Sequence, residues 1–213
     1  IMALFPDQLV ESELGMIPKW WEVKSLSEVS EITKGVSYRS EELSGNEFAL
    51  VNLKSINRGG GYRLDGLKPF CGTFKSEQEV RHGDIIIAYT DVTQAAELLG
   101  RPARVQNVDN TRLIASLDIG IVRSEILPKE FLYFTLNSYR FNEYAKNHAN
   151  GTTVLHLSRK DVPKFRTVIP SKIIVNKFSN ICNPLFKIID SNNYQNNVLP
   201  FLRDELIHLF LQN

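Results

Sequence analysis

Residues 170–213 read PSKIIVNKFSNICNPLFKIIDSNNYQNNVLPFLRDELIHLFLQN. Within them Ile174, Phe178, Ile181, Leu185, Ile188, Asn192, Gln195, Leu199, Leu202, Leu206 and Leu209 follow one another at alternating steps of four and three. Nine of the eleven are apolar. A strict 3.5-residue period is the seam of a coiled coil, because a straight surface helix drifts off it over a few turns. The stretch therefore predicts a long terminal helix whose seam needs a partner helix. Pro184 and Pro200 lie off the seam, and kinks or breaks are expected at them, since each removes a helical hydrogen bond at a cost of about 3 kcal/mol. Two readings fit Asn192 and Gln195: amides that set register within the seam, or a loop DSNNYQNN between two shorter helices.

Upstream of this arm the pattern is mixed. WWEVKSL (20–26) alternates as a short strand, and SLSEVSEITKG (25–35) reads as a short helix capped by Ser25 or Ser27 and closed by a left-handed Gly35. A loop, GVSYRSEELSGNE, follows. FALVNLKSI (48–56) is a strand running into the glycine turn NRGGGYR. DIIIAYT (84–90) carries an unbroken isoleucine run, which predicts a strand buried on both faces. LIASLDIGIVRS (113–124) is a strand pair or a bent strand. PKEFLYFTLNSYRFNEYAKNH (128–148) is helical, with Pro128 suited to its first turn, and Asn150-Gly151 ends it. TVLHLS and KFRTVIP supply the last strands. The expected fold is an α+β globular domain over residues 1–170, followed by a coiled-coil-type helix over 171–213.

Hydrophobic residues make up 43% and charged residues 23% of the chain, as in folded globular proteins. No run reaches the roughly 18 apolar residues of a membrane span, and the N-terminus lacks the basic start and apolar core of a secretory signal, so a cytoplasmic protein is expected. Cys71 and Cys182 read as two buried free thiols in that compartment. The net charge of +1 does not itself suggest nucleic acid, but it is unevenly spread. Residues 1–33 hold 2 basic and 6 acidic side chains, whereas 137–177 hold 8 basic and 2 acidic. A localised positive stretch can track phosphates even when the total is near zero.

Catalytic constellations are missing from the sequence. It holds no GxGxxG, no GxxxxGK[ST], no HExxH and no GxSxG. His148 and His156 flank a Gly-Thr-Thr turn without a Cys or carboxylate pattern to complete a metal site. Glu41-Glu42 and Glu77/Glu79 lie in polar loops with nothing to separate their pKa values for acid–base work. The chain is therefore expected not to be an enzyme.

Several segments together resemble type I restriction-modification specificity subunits. The opening ALFPDQLVESELGMIPKWW carries Ser12, Leu14, Gly15, Ile17, Pro18 and Trp21 in the family's lead-in pattern; the family usually has glycine where this chain has Trp20, so that turn is expected to differ slightly. Gly35 resembles the glycine after the first short helix. Arg81, Gly83, Asp84 and Ile85 match the turn that begins a core strand. The run 150–158, NGTTVLHLS, matches the Gly-Thr loop and strand, and Ile169-Pro170 with Leu202–Leu206 match the helical region that follows. No motif is decisive alone; their order along nearly the whole chain carries the resemblance.

The resemblance implies a target recognition domain with a conserved helical arm, reading one half of a bipartite site in double-stranded DNA. It implies docking to a methyltransferase subunit that uses S-adenosylmethionine, and association with a motor and nuclease subunit that uses ATP and Mg. No cofactor is then expected in this chain, which pairs with itself as a homodimer or with a second recognition unit. Base reading is expected from Lys34, Tyr38 and Arg39 in the first loop, Arg58 and Arg63 around the glycine turn, and Thr90, Asp91, Thr93, Arg101 and Arg104 after the buried strand. Arg can pair with guanine O6 and N7. Asp91 either accepts from a base or caps a turn. Lys146, Gly151, Thr152, Thr153, Arg159 and Lys160 are expected on phosphates, with a plain structural turn as the other reading of the Gly-Thr-Thr loop. The interface is expected at Ile174, Phe178, Ile181, Leu185, Ile188, Leu199, Leu202, Leu206 and Leu209. A protein-interaction adaptor without DNA binding, and a methyltransferase with an unfamiliar cofactor loop, are the other classes open to such a sequence.

Overall fold

The computed structural model describes residues 8–93, 95–106 and 111–211. The first residues of the family-like opening, 3–7, lie outside them. In chain order the elements are β1 (Leu9–Ser12), β2 (Gly15–Pro18), β3 (Glu22–Ser25), α1 (Leu26–Val29), β4 (Glu31–Lys34), β5 (Phe48–Val51), β6 (Lys68–Phe70), β7 (Glu79–Val80), β8 (Ile85–Ala88) and β9 (Thr90–Asp91). There follow β10 (Pro102–Arg104), β11 (Arg112–Ala115), β12 (Ile119–Arg123), α2 (Lys129–Leu136), α3 (Tyr139–Asn147), β13 (Ala149–Asn150), β14 (Leu155–Leu157), β15 (Arg166–Ile169) and α4 (Lys172–Leu211).

Two four-stranded sheets form the centre, in the orders β10-β8-β12-β4 and β6-β5-β11-β7. The isoleucine run explains how they stack. Successive strand side chains point to opposite faces, so Ile86 and Ala88 enter a core shared with Val51, Val80, Leu113 and Ala115 of the second sheet. Ile85 and Ile87 face the other way, against Leu132, Leu136, Phe141 and Ala145 of α2 and α3. All four β8 residues are buried, as the sequence predicted. The result is three layers: helices, sheet, sheet. A smaller cluster of Val36, Leu50, Phe70 and Ile114 covers the outer face of the second sheet. β11 and β12 are a pair in sequence only, since one lies in each sheet.

Three local expectations are corrected. The helix over 25–35 is a single turn, Leu26–Val29, and the rest is β4. Ser25 caps that turn through Glu28, whose carboxylate accepts from the Ser25 N–H at 2.7 Å. Gly35 is not a left-handed terminator. It is required because a Cβ there would sit 2.0 Å from the Ser116 carbonyl oxygen, where the chain passes from one sheet to the other. The helix over 128–148 is two helices, because the Ser138 side chain accepts from the Phe141 N–H at 3.2 Å and starts α3 anew.

α4 runs unbroken for 40 residues, about 60 Å. Pro184 and Pro200 do not break it, and both are exposed. The stretch DSNNYQNN is helical, not a loop. Val175, Ser179, Cys182 and Phe186 are buried against the domain. Phe178 and Phe186 pack edge-on or stacked against Phe131, Tyr133 and Phe134 of α2.

Candidate nucleic-acid interface

Strand register distinguishes two ends of the first sheet. At one end Ile85 pairs with Arg104 and Val122, and β4 begins opposite Arg123. At the other, Ala88 pairs with Ile119, the Ala88 N–H donates to the Arg101 carbonyl, and Lys34 pairs with Gly120. The arm is fastened at the first end. Arg104 donates to Asp190 of α4 at 2.5 Å, His82 lies 3.2 Å from the same carboxylate, and the Arg104 guanidinium covers the Phe186 ring. One residue-turn further on, Asn193 donates to Gln106 at 2.9 Å. Asp84 lies nearby, buried and paired with Arg123 at 2.7 Å and Lys129 at 3.1 Å. Burial pushes its carboxyl upward, but Arg123, the Arg81 N–H and Lys129 outweigh that and hold its pKa below the ordinary value.

The opposite end carries the loops. The turn after Ile56 is closed by Asn57–Gly61 hydrogen bonds and tied to the sheet by the Gly61 N–H, which donates to the Pro102 carbonyl. Gly59, Gly60 and Gly61 all have positive φ, so the turn needs its three glycines. It sets Arg58 beside Glu97 (3.4 Å), in a depression of about 340 Å³ that Arg101 and Lys146 also line. Three basic residues from three separate segments thus meet at one place. Arg101 is oriented by its Nε, which donates to the Glu97 carbonyl at 3.1 Å.

Asp91 organises the loop between Arg101 and the sheet. It is 1% exposed and accepts from the Thr93 N–H and hydroxyl and from the N–H groups of Leu98 and Leu99. The turn-capping reading describes this geometry, and Thr93 shares in it. Thr90 is buried too, with its hydroxyl donating to Asp118 at 2.8 Å. β9 pairs with β14, which brings the Gly-Thr-Thr loop to the same end. Gly151 has φ +111° and a Cβ would meet the Val154 carbonyl oxygen at 2.1 Å. Thr152, Thr153 and Lys160 are exposed. Arg159 donates to the Leu117 carbonyl at 2.7 Å and lies over the Tyr89 ring. Burial pushes the Tyr89 phenol up to about 12, with Arg159 pulling the other way.

The remaining sequence candidates fall apart from this group. Lys34 is exposed at the loop end, Tyr38 is half-buried against the outer cluster, and Arg39 is exposed beside it. Arg63 is held by both oxygens of Asp65 at 3.0 and 2.6 Å. Asp65 shares a depression with Gln106 and Asn193, on the arm side. Arg104 lies at the arm end, as above. The sequence reading missed this clasp, although one signal was available: Asp190 is the single acidic residue between Ser171 and Arg203. Along the seam, Ile181, Leu185, Ile188, Leu199, Leu202, Leu206 and Leu209 are 48% to 69% exposed. Ile174 and Phe178, nearest the domain, are half-buried. Among the described residues no group of His, Cys, Asp and Glu could hold a metal ion, and no helix is long and apolar enough to cross a membrane.

No protein-family model matches the chain. Curated relatives do. The chain is 23% identical over 213 residues to the type I restriction enzyme HindI specificity subunit of Haemophilus influenzae, covering 95% of this chain and 44% of the relative. It is 25% identical over 194 residues to the MjaIX specificity subunit of Methanocaldococcus jannaschii, covering 90% and 43%. Among solved structures, the S subunit of a type I system from M. genitalium superposes with a TM-score of 0.57 at 16% identity, over 88% of this chain and 45% of that one. The HsdS subunit from Thermoanaerobacter tengcongensis gives 0.54 at 16% identity, over 92% and 43%. The fold class is therefore an α+β domain carrying a long helix, shared with these S subunits. The chain is similar to type I restriction specificity subunits, and it spans under half the length of each relative named.

Proposed function

We propose that the chain reads one half of a bipartite site in double-stranded DNA, as a non-catalytic specificity module. Residues 1–170 form the recognition domain and 171–213 the arm. The arm pairs with a second recognition unit, in a homodimer or a longer subunit, and docks the methyltransferase subunit. S-adenosylmethionine, ATP and Mg belong to partner subunits, the motor and nuclease subunit joins through the complex, and the site of action is the cytoplasm. A protein-only adaptor has no observation in its favour beyond the arm.

The observation that carries this reading is the division of the sheet. Arg58, Arg101 and Lys146 line one depression at the end away from the Asp190 clasp, the pairing of β14 with β9 carries the exposed Thr152 and Thr153 towards that end, and Lys160 is exposed. Arg58 and Arg101 are the base readers in this proposal; Lys146, Lys160 and the Gly151–Thr153 loop bind phosphates, with Arg159 and Lys34 at their flank. Tyr38 and Arg39 are assigned to the edge of the footprint. Thr90, Asp91 and Thr93 hold the reading loop in shape, and Arg63 and Arg104 serve the arm side. In the assembled complex, Lys146→Ala with Lys160→Ala should weaken binding to every sequence. The slope of log affinity against log salt should fall by about 0.9 for each phosphate that is no longer neutralised. An unchanged slope would remove these residues from the interface.

A further inference from the structure

Among the described residues that line the depression with Arg58, Arg101 and Lys146, Glu97 is the only acidic one. It engages both arginines. Its carboxylate lies 3.4 Å from Arg58, and its backbone carbonyl accepts from the Arg101 Nε at 3.1 Å. Lys146 has an acidic partner of its own, Glu143 at 3.2 Å. The loop fixes where Glu97 stands. Ala96 before it and Leu99 after it are buried, and the Leu98 and Leu99 N–H groups donate to the buried Asp91 carboxylate. Ala96 takes φ +51°, a left-handed conformation that a residue with a Cβ adopts only at a cost. Glu97 is left as an exposed crest between buried anchors, its side chain 46% open and that of Arg58 72% open.

The glycine turn does not need this carboxylate. Hydrogen bonds between Asn57 and Gly61, and from the Gly61 N–H to the Pro102 carbonyl, close it without Arg58. A carboxylate facing DNA is repelled by phosphates, and one that neutralises Arg58 weakens the pull on the backbone. Its place here therefore calls for a contact that compensates.

We propose that Glu97 is itself a base reader, whose carboxylate accepts from the N4 amino group of a cytosine beside the guanine that Arg58 reads. The inference rests on the reading role given to this end of the sheet above. A carboxylate only accepts, and in the major groove only cytosine N4 and adenine N6 donate. Adenine sets its N7 acceptor next to N6, where it repels a carboxylate; cytosine has no acceptor there. Guanine O6 and N7 and thymine O4 are acceptors and are refused. An arginine and a glutamate in contact thus match a guanine acceptor and a cytosine donor lying side by side in the groove. The same contact orients Arg58 before DNA arrives.

Methylome sequencing of the assembled methyltransferase complex locates the cytosine. Glu97→Ala should admit other bases at one G·C pair of the half-site. Glu97→Gln should admit adenine there, since a side-chain amide both accepts from N6 and donates to N7. Competition binding then isolates the contact. Replacing that cytosine with 2-pyrimidinone, which lacks only the 4-amino group, should weaken binding by the parent complex about fivefold to tenfold. The Glu97→Ala complex should lose under about twofold, because it has no contact left to lose. Equal losses in the two complexes, or a parental half-site without a G·C pair, overturn the cytosine contact. A motif relaxed by Arg58→Ala and Arg101→Ala but unchanged by both Glu97 variants removes Glu97 alone and leaves the arginines as readers. A motif unchanged in all four variants overturns the reading role of this end as well.

Discussion

Asp190→Ala should release the middle of the arm from the recognition domain without unfolding either. Asp190 and Arg104 meet at 2.5 Å with side chains only 18% and 16% exposed. Removing one partner of a buried ion pair costs about 3–5 kcal/mol, because the other charge is left without its counter-ion. Arg104 keeps its place over Phe186 and its approach to His82 at 3.4 Å, and this clasp lies at the domain rim. These reduce the expected cost to about 2 kcal/mol. At about 1.4 kcal/mol per factor of ten, that is a roughly thirtyfold rise in local opening. Hydrogen exchange followed by mass spectrometry should show it in the amides around Asp190–Asn197 and in β10, while β8 keeps its protection. A double-mutant cycle with Arg104→Ala should return a coupling of at least 1 kcal/mol, on the order expected for hydrogen-bonded charges. Equal exchange in parent and variant, with coupling under about 0.5 kcal/mol, would refute the clasp, since independent sites add to within that margin.

Other consequences follow from the same geometry. Ile86→Ala empties a fully buried site between the two sheets and should cost about 3–4 kcal/mol in urea unfolding. Asp84 has a lowered carboxyl pKa, so its stabilisation is complete above the unfolded value of about 3.9 and is lost as pH falls through its lower folded value. Asp84→Asn should therefore flatten the acid limb of stability below about pH 4 and cost about 1–3 kcal/mol near pH 7, measured by unfolding across a pH series. Trp20 adopts φ +75° with its ring 76% exposed, so Trp20→Gly should be neutral or stabilising by about 1 kcal/mol in thermal melts despite the loss of a large side chain.

Periodicity made the long elements legible. The 3.5-residue seam predicted α4, and the isoleucine run of β8 predicted a strand covered on both faces; each signal is a repeat of burial along one element. Part of what failed depended on partners distant in sequence. Gly35 looked like a helix terminator because its real constraint, the carbonyl of Ser116, lies 81 positions away in the chain. The Asn137-Ser138 break was written in the sequence as a cap, but the apolar residues on both sides masked it. Asp91 and Arg104 carried the right donors and acceptors for bases, and composition cannot tell a side chain aimed at DNA from one satisfied by its own backbone or by Asp190. Conversely, Arg58, Arg101 and Lys146 came from three unrelated stretches, and only the depression they line together shows that they converge. The left-handed Trp20 shows how the lead-in turn accommodates a residue where the family usually has glycine: the ring points to solvent and Lys19 lies 5.1 Å from its centroid.

Methylome sequencing of the assembled methyltransferase complex, with the parent chain and with Arg58→Ala and Arg101→Ala in its place, tests the reading role most directly. The parent should methylate a bipartite motif. Each variant should relax one position in one half-site, at about 1–3 kcal/mol per bidentate pair removed, and leave the other half-site unchanged. Retention of the parental motif at full occupancy by both variants would contradict the assignment of this end of the sheet to DNA.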